Sequence, residues 1–194
     1  LSTFAIRDSV LFTSGLLSDK IGGPSVFPPQ PAGVTTEGTY GPLTWTPSTG
    51  EDRYRRSLYT FSKRTAPFAM YTTFDGPTGE ACVAQRDVSN TPLQALTLLN
   101  DVVFLEAAQA LGAEFARRNE SLEDRLVLLF RRVLVRSPEA EEIQALVMFY
   151  RDQWARFEAG ELDANALAGG GEDDVIDRAA WSVVARILLN LDET

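Results

Sequence analysis

The chain has 194 residues, 44% apolar and 23% charged, which suits one ordinary domain with its own core and excludes wholesale disorder. It has no histidine and one cysteine, Cys82, which excludes Ser-His-Asp and Cys-His catalysis, histidine-ligated zinc, and any disulfide or iron–sulfur cluster within the chain. The net charge of −9 argues against a nucleic-acid partner, because only residues 53–64 offer a basic footprint.

Residues 2–14 read as a helix with Phe4, Ile6, Val10 and Leu11 on its apolar side and Gly15 as its stop. Residues 15–50 carry Gly22-Gly23-Pro24, Pro28-Pro29, Pro31, Gly33, Gly38, Gly41-Pro42, Pro47 and Gly50, too much punctuation for regular elements. Phe27, Tyr40, Leu43 and Trp45 anchor this stretch, so it is expected to be an ordered, wrapped loop. Ser57–Phe61 and Met70–Phe74 are predicted as short strands from their aromatic and β-branched content, with Ala66-Pro67-Phe68 as a turn between them. Thr91-Pro92-Leu93-Gln94 fits a capping box that opens a helix with Leu93, Leu96 and Leu98-Leu99 inward. Asn100-Asp101 breaks it, and a second run with Val103, Ala107, Ala110, Leu111 and Phe115 continues to about Arg118. Ser121 caps a third helix that ends in Arg131, Arg132 and Arg136. Ser137-Pro138 begins the next, with the stripe Ile143, Leu146, Val147, Tyr150, Trp154 and Phe157 and a stop at Gly160. Gly169-Gly170-Gly171 reads as a flexible joint before a last helix, about Val175 to Leu191, with Trp181, Val184, Ile187, Leu188 and Leu191 inward. The longest aliphatic run, Leu126–Phe130, falls far short of the ~20 apolar residues of a membrane span.

The expected fold is mainly α. A bundle of four to five helices (91–194) packs on an irregular Gly/Pro-rich platform with one or two short strands (1–90), within a single domain, 1–194. The chain begins at Leu1 with no signal-type segment and reads as a piece of a longer polypeptide.

Two constellations are candidates for chemistry. In the first, Arg53, Arg55, Arg56, Lys63 and Arg64 alternate with Tyr54, Tyr59 and Phe61. Guanidinium forks beside aromatic faces suit sulfate, phosphate or carboxylate groups. The structural alternative is ion pairing with the C-terminal helices, since residues 139–194 hold 13 Asp or Glu against 4 Lys or Arg. In the second, Asp75 and Glu80 lie on a Gly/Pro loop with Arg86 and Asn90 following, an arrangement in which two carboxylates can converge as an acid/base pair. Its structural alternative has Asp75 and Asn90 capping turns and Glu80 pairing with Arg86. Ligand-binding candidates are therefore Arg55, Arg56, Lys63, Arg64, Arg86 and Asn90, and catalytic candidates are Asp75 and Glu80. No metal site is expected: Glu172-Asp173-Asp174 with Asp177 lacks the spacing of a calcium loop and suits the first turn of the last helix.

A series of motifs points further: I-R-D-S at Ile6–Ser9, I-G-G-P-S-V-F-P-P-Q-P at Ile21–Pro31, E-D-R-Y-R-R-S-L-Y-T-F at Glu51–Phe61 and K-R-T-A-P-F at Lys63–Phe68. It continues with T-T-F-D-G-P at Thr72–Pro77, N-T-P-L-Q-A-L at Asn90–Leu96 and A-R-I-L-L-N-L-D-E-T at Ala185–Thr194. In these, along essentially its whole length, the chain resembles the domain of unknown function 1553 family, a C-terminal domain of large secreted planctomycete-type proteins that often carry a cytochrome c domain. It departs from the family pattern at Ala69-Met70-Tyr71 and around Gly76–Gly79, where the family more often has a proline and a serine-arginine. The resemblance implies a periplasmic or extracellular location and a missing upstream segment or partner subunit, with polysaccharide as a further candidate partner. It implies no cofactor in this chain, since haem would belong to another domain. The family brings no established reaction, so the expected function is a non-catalytic structural or interaction module, with a glycan-binding or glycan-cleaving domain as the alternative.

Overall fold

In the computed structural model, which describes residues 2–31, 45–63, 67–77, 89–171 and 174–191, the chain is mainly helical. Eight α-helices lie among these residues: α1 (Thr3–Thr13), α2 (Ala69–Thr73), α3 (Pro92–Asn100), α4 (Val102–Ala116), α5 (Leu122–Leu134), α6 (Ala140–Glu158), α7 (Ala164–Ala168) and α8 (Val175–Leu188). They fall into two compact units, residues 1–12 with 16–103 and residues 13–15 with 104–194. Helix α3 thus falls in the first unit.

In the first unit, α1 forms as expected, and Gly15 ends it with φ +75°, a conformation that favours glycine. The Gly/Pro segment is held by side chains rather than by strands. Arg7, buried on α1, donates to the carbonyls of Arg55 (2.7 Å) and Arg53 (3.0 Å). The Asp8 carboxylate accepts from the Ser57 N–H at 2.7 Å. Phe27 stacks on Phe61 (ring centroids 4.8 Å apart), Trp45 stacks on Phe68 (5.7 Å), and the Trp45 indole N–H donates to the Pro28 carbonyl at 2.7 Å. These rings are the expected anchors of a wrapped loop; Tyr40 and Leu43 lie outside the described residues.

The expected strands are not there. Ser57–Tyr59 is a turn of 3-10 helix and Ala69–Thr73 is α-helical, and the only sheet-like pairings among the described residues are isolated parallel bridges, Ser18 with Arg55 and Val26 with Thr60. The aromatic content that favoured a strand instead serves packing: Tyr71 meets Phe4 and Phe68 edge-on, and its hydroxyl donates to the Ser57 carbonyl at 3.0 Å. The side of α3 that is buried also differs from expectation. Leu93 and Leu96 are 62% and 55% exposed, while Gln94 is buried. The capping box with Thr91 is present, and it aims the Gln94 amide inward.

The second unit is the helical bundle, and its centre is α8. Ala179, Ala180, Trp181, Val184, Ala185 and Leu188 are buried, as are Phe104, Leu111 and Phe115 of α4 and Leu126, Leu129 and Phe130 of α5. Each large side chain so buried contributes roughly 1.5–3 kcal/mol. Trp181 lies 5.8 Å from Phe115 and 5.1 Å from Tyr150, with the Arg125 guanidinium 4.9 Å over its ring. Helices α4 and α8 approach so closely that a Cβ on Gly112 would lie 2.8 Å from the Ser182 nitrogen and 2.9 Å from the Arg178 carbonyl.

Ser121 caps α5 as expected, accepting from the Asp124 N–H. Helix α6 starts at Ala140 rather than at Ser137-Pro138, because Glu139 and Glu142 form a reciprocal box, each carboxylate accepting from the other's backbone N–H. Trp154 is half-buried, and Ile187 and Leu191, expected inward, are exposed because α8 ends at Leu188 and its buried side follows Trp181, Val184 and Leu188. The expected joint at Gly169–Gly171 follows a short helix, α7, that the sequence reading did not anticipate. Gly169 and Gly170 present their carbonyls to the buried Arg178 guanidinium at 3.2 and 3.0 Å.

Candidate functional site

The basic-aromatic segment separates into buried and exposed members. Arg55 is fully buried. Its guanidinium lies 3.8 Å from the Tyr59 ring centroid and donates to the carbonyls of Lys20 (3.2 Å), Pro24 (3.2 Å) and Gly22. The Tyr59 hydroxyl accepts from the Gly22 N–H at 2.8 Å and closes the same loop. Arg55 is therefore the organising centre of loop 20–24 and faces no solvent. This also corrects the structural alternative: the arginines do not alternate along a strand toward acidic helices, because the segment is not a strand. Arg56 points outward, 57% exposed, with Asp8 3.9 Å away. Lys63 is half-buried, and Arg64 and Arg86 lie outside the described residues.

The second constellation resolves into a corner of backbone. Asp75 has φ +55°, and its Oδ2 accepts from the Ser89 N–H (2.8 Å) and hydroxyl (2.7 Å). Those bonds hold its carboxyl below the ordinary carboxylate value. The buried Gln94 amide donates to Thr73 O and Ser89 Oγ, both at 3.0 Å, and comes within 3.5 Å of Asp75 Oδ2. At Gly76 a Cβ would lie 2.6 Å from the Tyr71 carbonyl, so the turn needs glycine there. Asn90 is exposed beside this corner, and Glu80 and Cys82 lie outside the described residues. The corner thus joins Asp75, Ser89 and Gln94, with Asn90 next in chain to Ser89, whereas Arg55 and Arg56 answer to loop 20–24 and α1.

Two residues that organise these sites were not singled out from the sequence. Arg7 stands on the buried side of α1, where a charged residue among Ile6, Val10 and Leu11 was the available signal. Gln94 was read only as a cap, although a long amide at that position has a second hydrogen-bonding end. The platform unit also holds a cleft of about 380 Å³ lined mainly by apolar side chains, among them Phe68, Met70, Leu93 and Leu96. Its polar lining includes Gln30, Thr97 and Asn100. Thr97 and Asn100 donate to carbonyls one turn earlier in α3. Such a cleft suits an apolar side chain of a partner. Among the described residues no three Cys, Asp or Glu side chains converge as a metal would need, and no single helix is long and apolar enough to cross a membrane.

The sequence pattern of the family described as PSD1, protein of unknown function (DUF1553), matches residues 1–150. No curated protein and no solved structure matches the chain.

Proposed function

The chain belongs to the DUF1553 family of proteins of unknown function, and on that premise we propose that it is a non-catalytic interaction module. The observation that carries this reading is α3. It has no charged residue, yet it presents Leu93 and Leu96 to solvent beside an apolar cleft. Arg55 and Asp75, the candidates with the strongest local contacts, serve backbone carbonyls and a backbone corner. Replacing Leu93 by a photo-crosslinking residue in the producing cell is expected to give one discrete adduct that Leu96→Asp removes. The absence of any adduct, or one indifferent to Leu96→Asp, would sink the reading.

A second reading, a glycan-binding face, rests on Arg56, which keeps 57% of its side chain exposed. It requires binding of sulfated or neutral polysaccharide at low salt that weakens in Arg56→Ala and Lys63→Ala. No response at low salt removes it. We extend the first reading to a periplasmic or extracellular location, on the family resemblance, which cell fractionation tests.

A further inference from the structure

In the bundle unit, α5 and α6 pack on each other and leave a cleft of about 550 Å³ along their seam. Its floor and walls are Val127 of α5 and Ala140, Ile143, Val147 and Met148 of α6, with Pro138 at one end. Met148 is 72% exposed, so the cleft is open along α6 rather than walled off. From Ala140 to Met148 it runs about 12 Å, a little over two helical turns. The charges on its lining are Glu139, beside the Ala140 end, and Glu123 in the first turn of α5; no Lys or Arg lines it. Glu142 belongs to the neighbouring turn and is already paired with Arg136 at 2.7 Å.

We propose that this seam binds an amphipathic helix whose apolar face is flanked by basic residues. The proposal rests on the interaction-module reading and names a second face and a partner chemistry for it. An open, two-turn apolar trough between helices is the shape into which a third helix lays side chains at i, i+3 or i+4, and i+7. The carboxylates select for a cationic partner and against an anionic one. They also disfavour a second copy of this chain seated bundle to bundle, because residues 139–194 bring 13 acidic against 4 basic residues to such a contact.

The test uses the full chain and two labelled, amidated peptides of about four helical turns, one of leucine and lysine in amphipathic register, the other with each lysine replaced by glutamate. Anisotropy at about 0.15 M salt is expected to show the lysine peptide binding at least about tenfold more tightly. Met148→Gln, at an exposed position, is expected to weaken it about tenfold, as the loss of one buried aliphatic contact would. Glu123→Gln is expected to weaken it about threefold. Leu58→Gln, exposed in the other unit, leaves it unchanged. Equal binding of both peptides overturns the proposal. So does binding indifferent to Met148→Gln, which is general attraction to an acidic chain, and so does self-association that Met148→Gln abolishes, which seats a second copy there. Crosslinking at Leu93 reports on the other face, so its outcome separates failure of the module reading from failure of this seam.

Discussion

Arg7 holds the backbone of Arg55, its guanidinium 2.7 Å from the Arg55 carbonyl, and Arg55 in turn holds the carbonyls of Lys20, Gly22 and Pro24. The two buried arginines act in series, from helix to turn to loop. Hydrogen bonds from charged donors are worth about 1.5–3 kcal/mol each, and truncation leaves their acceptors buried and unpaired. Desolvation pushes the Arg7 guanidinium below its ordinary pKa and offsets part of that gain. Arg55→Leu and Arg7→Met are each expected to lower stability by about 3 kcal/mol in urea unfolding. The double variant should fall short of the sum by about 1 kcal/mol, because either change releases the same loop. Arg55→Lys should not rescue it, since an ammonium cannot reach three carbonyls while lying flat on Tyr59. Full additivity in the cycle would show that the two arginines do not act in series.

Gly112 sits where α4 and α8 touch. Helix propensity alone predicts that Gly112→Ala stabilises by about 1 kcal/mol. The added Cβ would, however, meet backbone, 2.8 Å from the Ser182 nitrogen and 2.9 Å from the Arg178 carbonyl. Overpacking of this kind costs about 1–3 kcal/mol, and more where backbone has to move. Gly112→Ala is therefore expected to be net destabilising by about 2 kcal/mol in thermal or urea unfolding. Ser182→Ala should restore it only in part, because it removes the nearest obstruction, the Ser182 Oγ, and leaves the two main-chain atoms in place.

What could be read in advance follows a physical division. Helix starts and stops depend on residues within one turn of each other, so the caps at Thr91 and Ser121 and the stop at Gly15 were legible. The bundle core was legible for the same reason where Leu111 and Phe115 of α4, and Trp181, Val184 and Leu188 of α8, repeat at helical spacing within one helix. The platform depends on contacts far apart in sequence, such as Arg7 to Arg55 and Trp45 to Phe68, which no local pattern encodes. Met70–Phe74 looked like a strand because β-branched and aromatic residues fit any half-buried surface, and packing chose a helix. Asp75 was legible as a turn former, but its partners Ser89 and Gln94 were not.

Two tyrosines should titrate late. Burial, then the Asp177 carboxylate to which its hydroxyl is hydrogen-bonded, pushes the Tyr150 phenol well above its ordinary value, and burial raises Tyr71. A phenol raised in the folded state favours folding fully below about pH 10, and that contribution is lost as pH rises beyond it, where the unfolded phenol ionises first. Absorbance titration should therefore show late phenolate steps that coincide with alkaline unfolding. Tyr150→Phe and Tyr71→Phe should each remove one of them. A Tyr150 step at the ordinary position in the folded chain would contradict the part-buried hydrogen bond to Asp177.

Glu142 gives an acid-side counterpart. Its carboxyl forms two bonds with Arg136 (2.7 and 2.8 Å) and accepts the Glu139 N–H at 2.7 Å, which lowers its pKa from 4.5 to about 2. A depressed carboxyl stabilises fully above its unfolded value and loses that contribution as pH falls through the folded one. The lower urea midpoint expected for Glu142→Gln at neutral pH should thus shrink toward zero between about pH 4.5 and 2. A deficit that stays constant across that window would mean the side chain acts by packing rather than by charge.

The corner at Asp75 separates a structural carboxylate from a catalytic one. Asparagine keeps the tolerance for φ +55° and an acceptor oxygen but not the charge, whereas alanine keeps neither. Stability measured in urea is expected to fall in the order wild type, Asp75→Asn, Asp75→Ala. Gly76→Ala should be at least as damaging as Asp75→Ala, because its Cβ would press on the Tyr71 carbonyl at 2.6 Å. The bonds from Ser89 hold the Asp75 carboxyl below 3.8, so its advantage over asparagine is complete above that pH and fades as acid protonates it. Wild type and Asp75→Asn should therefore converge on acidification, while Asp75→Ala stays below both. If Asp75→Asn matched wild-type stability throughout and instead abolished a measurable hydrolysis, the carboxylate would have to be working on a substrate rather than on Ser89.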